Sequence, residues 1–339
     1  MRTDDFDYRL PPGAIAQHPV EPRDAARLLV ALGGTIEHRR VSDLPALVGS
    51  GDVVVVNDTR VLPARVRVQR ATGGAGEVLL LEETADGWWE ALVRPARKLR
   101  LGEVVIAVAG DGLAFEVGDD LGDGVRSVRP LCDGSLLEAL DVAGELPLPP
   151  YITELLDDAE RYQTVYSERP ASSAAPTAGL HLTPGVLAAI EANGAEVHRV
   201  ELVVGLGTFR PIVVDDIAEH VMHAERYRVP ASTMAAVRSA RRTVAIGTTT
   251  VRALESAAVG GLEGSTSIFI RPGYRWQVVD VLMTNFHLPR SSLLVMIEAF
   301  CGPGWRELYE LALADGYRFL SFGDAMLLER DGLSGRVTG

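Results

Sequence analysis

The chain has 339 residues, 47% hydrophobic and 23% charged, which is the composition of a soluble globular protein with room for two domains. Its net charge of −13 excludes a protein that coats nucleic acid by uniform attraction, but leaves room for a local basic face. No apolar run approaches the ~20 residues that span a bilayer, Met1–Tyr8 has no signal-peptide core, and Cys132 and Cys301 make no disulfide framework, so the cytoplasm is expected, with no membrane partner.

Arg27 to Leu32 predicts a strand, with Ile36 to Val41 as its hairpin partner across Gly33 and Gly34. Ser42 predicts the N-cap of a short helix ending near Gly49. Val53 to Val56 is a continuous apolar run, expected for a strand buried on both faces, and it ends in the polar cluster Asn57-Asp58-Thr59-Arg60. From Pro63 to Pro130, six short strand candidates alternate with Gly- and Asp-rich turns: Val66–Val68, Glu77–Leu81, Trp88–Val93, Glu103–Val108, Leu113–Val117 and Val125–Val128. That spacing predicts a small antiparallel barrel. Ser135 to Val142 predicts a short helix, and Pro147-Leu148-Pro149-Pro150 an exit linker.

Beyond Tyr151 helices and strands alternate. Helices are predicted over Pro184–Asn193, Ser232–Arg241, Thr250–Val259, Ser291–Phe300 and Trp305–Ala314. Strands are predicted over Glu196–Val204, Thr243–Ile246, Ser267–Ile270 and Val278–Met283. The expected fold class is α/β: a discontinuous layered α/β domain (1–60 and 151–335) carrying an inserted small antiparallel β-barrel domain (61–150).

Five polar runs carry the functional argument: AAPTAGLHLTP (174–184), VGLGTFRP (204–211), HVMHAE (220–225), AIGTTTVRALES (245–256) and TNFHLPRSS (284–292). Each falls where an element starts or stops, which is where sites are usually built. Gly247 with Thr248, Thr249 and Thr250 opens a helix after a strand, a turn whose free N–H groups and hydroxyls suit a carboxylate or phosphate. Plain N-capping needs only one of those threonines. Arg252 and Glu255 lie one turn apart, the spacing of a surface ion pair. Thr177, Gly179 and His181 lie among small residues that permit close approach to a flat ligand, with His181 a candidate acid or base. A polar turn capped by Thr183 is the plainer reading.

His220-x-x-His223-x-Glu225 has a spacing that shares a helix face, but it is not HExxH and no further ligand follows, so no metal is expected. Hydrogen bonding to substrate by one or both of His220 and His223 is the expected use. Gly207, Thr208 and Arg210 suit an anionic or planar group, although Gly-x-Gly alone is weak evidence for any nucleotide fold. Asn285 and His287 follow a strand, where turn chemistry would also explain them.

Taken in order, NDTRVLPARV, LPLPPYI, ERYQTVYS, AAPTAGLHLTP, GLGTFRP, HVMHAERYRVP, AIGTTTVRALESA, RPGYRWQVVD, TNFHLPRSSLL and YRFLSFGDAML resemble the S-adenosylmethionine:tRNA ribosyltransferase-isomerase family of queuosine synthesis, from about Phe6 to Leu328. The chain departs from the pattern at Val203, where the family often carries His, at Leu182, a usual Phe, and at Glu298 and Cys301, where small residues are common.

The resemblance implies transfer and isomerisation of the ribosyl group of S-adenosylmethionine onto the aminomethyl-deazaguanine base at the tRNA wobble position, with release of adenine and methionine. S-adenosylmethionine is then a co-substrate, and no resident cofactor and no obligate protein partner are expected. His181, Asp58 and His223 are the catalytic candidates. Asn57, Arg60, Thr177, Gly179, Gly207, Thr208, Arg210, His220, Glu225, Thr248, Thr249, Thr250, Arg252, Asn285 and His287 are the substrate-binding candidates. His181, Asp58, Arg60 and the Thr248–Thr250 turn are expected to converge on one cleft. Arg94, Arg97, Lys98 and Arg100 are the tRNA-binding candidates.

Three other readings compete. An S-adenosylmethionine methyltransferase would need a Gly-rich turn where Asn57-Asp58-Thr59 stands. A non-catalytic RNA-binding protein would leave the runs after Ala174 without a use. A paralogue with the same chemistry and another amine acceptor is compatible with the motifs.

Overall fold

The computed structural model describes residues 1–110, 112–156, 158–172, 174–205 and 211–333. Contacts divide the chain into two compact units, one of 1–59, 150–169 and 175 onward, the other of 60–149 and 170–174. Residues 170–174, expected in the first unit, group with the second: the strand Arg169–Ser172 pairs with Thr59–Val61, and Leu62 N donates to Ser172 O at 3.0 Å.

The first unit is built on a nine-stranded mixed sheet in the order 263–266, 225–228, 196–202, 52–57, 242–246, 281–285, 325–329, 27–32, 35–40. The strand Asp52–Asn57 has parallel neighbours on both sides, Glu196–Leu202 and Arg242–Ile246. Its four valines are buried because neither face meets water, as the unbroken apolar run predicts. Val281–Asn285 continues the parallel set, and Ala325–Glu329 runs antiparallel to it.

Leu28, Val30, Val54, Val56, Val244, Ile246, Met283 and Leu327 form one core layer with Val186 and Ile190 of the helix Pro184–Ala192. The alternate residues Leu29, Val53, Val55, Ala245, Leu282 and Met326 are buried as well, so both faces of the sheet are covered. The parallel strands 52–57, 196–202, 242–246 and 281–285 end at the same edge, which is where open α/β sheets place ligands.

The second unit is a closed antiparallel barrel. Six strands follow the order 65–70, 75–83, 89–94, 125–131, 114–122, 104–107, and the last pairs back with the first. Val66, Val68, Val78, Leu80, Val93, Val105, Phe115, Val117 and Val128 are buried, as period-2 alternation dictates for a filled small barrel.

Two local expectations fail, and a further strand is one that no local pattern foretells. The strand near Ser267–Ile270 lies instead at Glu263–Thr266, because that polar stretch pairs with Glu225–Arg228. Ser42 caps nothing: the turn over Val41–Leu47 is a 3₁₀ helix opened by Arg40, whose N–H is bound by Asp43. Ala325–Glu329, which has no period to mark it, is an interior strand.

Candidate active site

At the carboxyl edge of the first unit's sheet lies a chamber that opens to solvent. Its wall comes from loops that leave parallel strands. Val204 follows one strand, Gly247, Thr248 and Thr249 another, and Thr284 to Leu288 a third. Tyr151, Ala175 to Ala178, Leu320 and Ser321 complete much of it. The mixture of apolar wall with hydroxyl, amide and imidazole groups suits a small-molecule ligand.

The Gly247 turn is built for this place. Gly247 has φ 93°, a conformation that favours glycine, and it starts the helix Thr248–Gly260 with no side chain capping its first N–H groups. The three threonines divide the work. Thr250 Oγ1 donates back to Ile246 O at 2.7 Å, and Thr249 Oγ1 accepts from Asn57 Nδ2 at 3.3 Å. Thr248 lines the chamber and, among the described residues, has no side-chain partner. A hydroxyl beside uncapped N–H groups at a positive helix end is complementary to an anionic group.

Beside it, Pro176 leads into the 3₁₀ turn Thr177–His181. Gly179 is obligatory here, since a Cβ would lie 2.0 Å from the Tyr166 hydroxyl. Thr177 Oγ1 lies 3.3 Å from Asn285 Oδ1, and Asn285 Nδ2 lies 2.9 Å from His181 Nε2. Thus Thr177, Thr248, Thr249, Asn285 and His287 share the chamber, with His181 immediately behind Asn285 and Asn57 behind Thr249.

Both histidines are held neutral. Burial, with Arg318, Arg161 and Arg23 nearby, pushes His181 down to about 4. Burial alone pushes His287 down to about 3. His287 Nε2 lies 3.1 Å from Thr284 Oγ1, and its backbone N–H donates to the Tyr309 hydroxyl.

Other candidates lie elsewhere. Asp58 does not line the chamber. In an extended chain it points away from Asn57, toward Arg199, Glu201, Arg169 and Glu168, and burial raises its carboxyl above the usual range. Glu225 and Arg252 do not reach the chamber either. They form a buried ion pair, and Glu225 Oε1 accepts from Gly205 N at 3.1 Å beside the chamber residue Val204. Arg252 therefore has no surface pair with Glu255. The Glu255 carboxylate is itself buried and takes hydrogen bonds from Tyr274 Oη and from the backbone of Gln277, Val278 and Val279.

His220 and His223 share no helix face, because the chain after His220 is not helical. His220 is half-buried against Phe269, His223 is exposed, and neither lines the chamber. Gly207, Thr208 and Arg210 lie outside the described residues. Arg60, Arg94, Arg97, Lys98 and Arg100 belong to the second unit. Tyr151, Leu320 and Ser321 were not among the candidates; their signal is the pair of motifs LPLPPYI and YRFLSFGDAML, which carry no titratable cluster to draw notice.

The family described as queuosine biosynthesis protein matches residues 3–328. The chain belongs to this family. It is 50% identical over 338 residues to the S-adenosylmethionine:tRNA ribosyltransferase-isomerase of Rubrobacter xylanophilus, covering 98% of this chain and 99% of that protein. It is 47% identical over 342 residues to the protein of the same name from Desulfitobacterium hafniense, covering 97% and 100%. The crystal structure of S-adenosylmethionine tRNA ribosyltransferase from Thermotoga maritima is similar with a TM-score of 0.53 at 35% identity, covering 95% of this chain and 99% of that one. As a member of the queuosine biosynthesis family the chain is an enzyme, a transferase-isomerase. No helix among the described residues is long and apolar enough to cross a membrane.

Proposed function

We propose that the chamber binds S-adenosylmethionine and is where its ribosyl group is transferred and isomerised onto the aminomethyl-deazaguanine base at the tRNA wobble position, giving epoxyqueuosine-tRNA, adenine and methionine. The observation that carries the reading is a chamber walled by the family's own motifs, in a chain that matches its relatives over nearly their whole length. Thr248 and the first N–H groups of its helix face the amino-acid carboxylate. Thr177 and Asn285 hydrogen-bond the nucleoside, and the neutral His287 offers no positive charge to oppose the sulfonium.

The chemistry needs this kind of wall. The sulfonium acidifies the adjacent ribose C5′–H, adenine must be hydrogen-bonded or protonated to leave, and the attacking amine must be neutral. Hydroxyls, an amide and one neutral imidazole, that of His287, line the chamber and can meet those needs without a competing cation. Arg94, Arg97, Lys98 and Arg100 in the barrel unit are exposed, and they give an acidic chain a local face for the tRNA backbone. The cytoplasm is the compartment proposed for the reaction.

The test is incubation with S-adenosylmethionine and tRNA bearing the aminomethyl-deazaguanine base. Adenine and methionine are expected together, in equal amounts, only when that tRNA is present. Methylated tRNA with S-adenosylhomocysteine would overturn the reading. Adenine release with a different amine acceptor would keep the chemistry and replace the substrate.

A further inference from the structure

We infer that His181 is a positioning residue, one that acts on the substrate only through Asn285. The inference rests on the reading of the chamber as the S-adenosylmethionine site. Asn285 ends the strand Val281–Asn285 and is 2% exposed, with its amide at the chamber wall. Its Nδ2 lies 3.2 Å from Leu320 O. A peptide carbonyl only accepts, so this contact fixes the amide nitrogen on that side and leaves Oδ1 beside Thr177.

The second amide hydrogen then points to His181 Nε2 at 2.9 Å, which must supply a lone pair. The imidazole proton is therefore on Nδ1. In that tautomer Nε2 has no proton to give, and its lone pair is already engaged. Burial, with Arg318, Arg161 and Arg23 nearby, keeps the ring in this neutral form.

Leu320 shows that the arrangement is imposed from both sides. It has φ 69°, in the left-handed region that a leucine rarely adopts. Its N–H is tied to Phe286 O at 3.1 Å, one residue beyond Asn285, while its carbonyl faces the amide. With both N–H groups of Asn285 spent on Leu320 and His181, only Oδ1 is left for the substrate, and one of its two lone pairs already accepts from the Thr177 hydroxyl. Beside the Thr177 hydroxyl, it is set to read a hydrogen-bond donor on the nucleoside, a ribose hydroxyl or the adenine amine.

A double-mutant cycle tests this. S-adenosylmethionine affinity is measured by calorimetry without tRNA, and KM and kcat are measured with it, for Asn285→Ala, His181→Ala, His181→Gln and the Ala/Ala pair. Losing the fixed acceptor should weaken S-adenosylmethionine binding by about tenfold in Asn285→Ala and by somewhat less in His181→Ala. Adding His181→Ala to Asn285→Ala should then change affinity and kcat by less than about twofold, because the only route of action is already gone. His181→Gln, whose side-chain carbonyl can accept the same amide hydrogen, should recover most of the affinity and of kcat.

Multiplying losses in the double variant would overturn the proposal. So would a His181→Gln enzyme that binds S-adenosylmethionine normally yet has lost kcat as completely as His181→Ala, since that is the signature of acid–base chemistry at the ring. If His181→Ala does not fold, the Gln variant alone decides between these outcomes. Unchanged S-adenosylmethionine affinity in a folded Asn285→Ala protein would remove the chamber reading itself. That failure differs from the others in needing no substitution at His181.

Discussion

The two units treat charge in opposite ways. In the first, the deepest charges are consumed by the fold. Arg252 and Glu225 are 3% and 4% exposed and paired with each other, and the Asp52 carboxylate is fully buried against Arg241 and Arg242. In the barrel unit, Arg94, Arg97, Lys98 and Arg100 are exposed and, among the described residues, their side chains make no ion pair. A buried pair fixes geometry at a heavy desolvation cost, whereas an unpaired surface cation costs the fold little and is available to a polyanion. Buried Arg252 thus braces the strand end beside the chamber through Glu225 in one unit, whereas the barrel's arginines offer a face in the other.

The largest effect should follow from breaking the pair. Glu225→Ala leaves the Arg252 guanidinium buried without its partner and strips Gly205 N of its acceptor. Denaturant unfolding should lose about 3–5 kcal/mol. Glu225→Leu with Arg252→Met should recover much of that, because an apolar pair removes the stranded charge. If Glu225→Ala costs no more than a surface substitution, the frame role is wrong.

Acid should also separate the units, because all seven histidines lie in the first. The ordinary histidine value near 6.5 falls to about 4 at His181 and about 3 at His287, both through burial. A depressed folded value means that the unfolded chain binds protons first. The associated stability is complete above about pH 6.5 and is lost as pH falls toward the folded values. Between pH 7 and pH 5 each histidine should cost roughly 2 kcal/mol. Hydrogen exchange should show the first unit loosening before the barrel, and substituting Gln at both positions should flatten the pH slope of unfolding. Equal slopes in wild type and variant would mean that these rings are not kept neutral by the fold.

What the sequence reveals follows from the range of the interaction that sets each feature. The barrel strands are legible because alternation and Gly-rich turns are local, and the valine strand because burial on both faces leaves an unbroken apolar run. Ala325–Glu329 is not, since a short apolar run without period is equally a strand, a helix segment or a tail. Ser267–Ile270 looks more like a strand than Glu263–Thr266, yet pairing with Glu225–Arg228 decides the matter across the chain.

The site divides in the same way. Thr177, Thr248, Asn285 and His287 stand out as polar groups at element ends and do line the chamber. Glu225 and Arg252 stand out equally, but their partners are each other, 27 residues apart, which no local pattern encodes. His220-x-x-His223 has meaning only on a helix, and the chain there is not helical. The left-handed Leu320 is invisible because sequence rules expect glycine at such a position.

The smallest effect on the fold, and the sharpest on the comparison, comes from the barrel's cations. Arg97→Glu with Lys98→Glu replaces two exposed positive charges that hold nothing in place, so unfolding should stay within about 0.5 kcal/mol of wild type. Affinity for tRNA should fall by about tenfold at low salt, with a shallower dependence on salt because fewer counterions are released on binding. S-adenosylmethionine affinity, set in the first unit, should not move. Filter binding across a salt series, paired with calorimetry for S-adenosylmethionine, separates the two. Unchanged tRNA affinity at low salt would take the Arg94–Arg100 strip out of the binding surface. The acidic chain's attraction for tRNA would then have to come from the first unit, where the deepest cations are already committed to the fold.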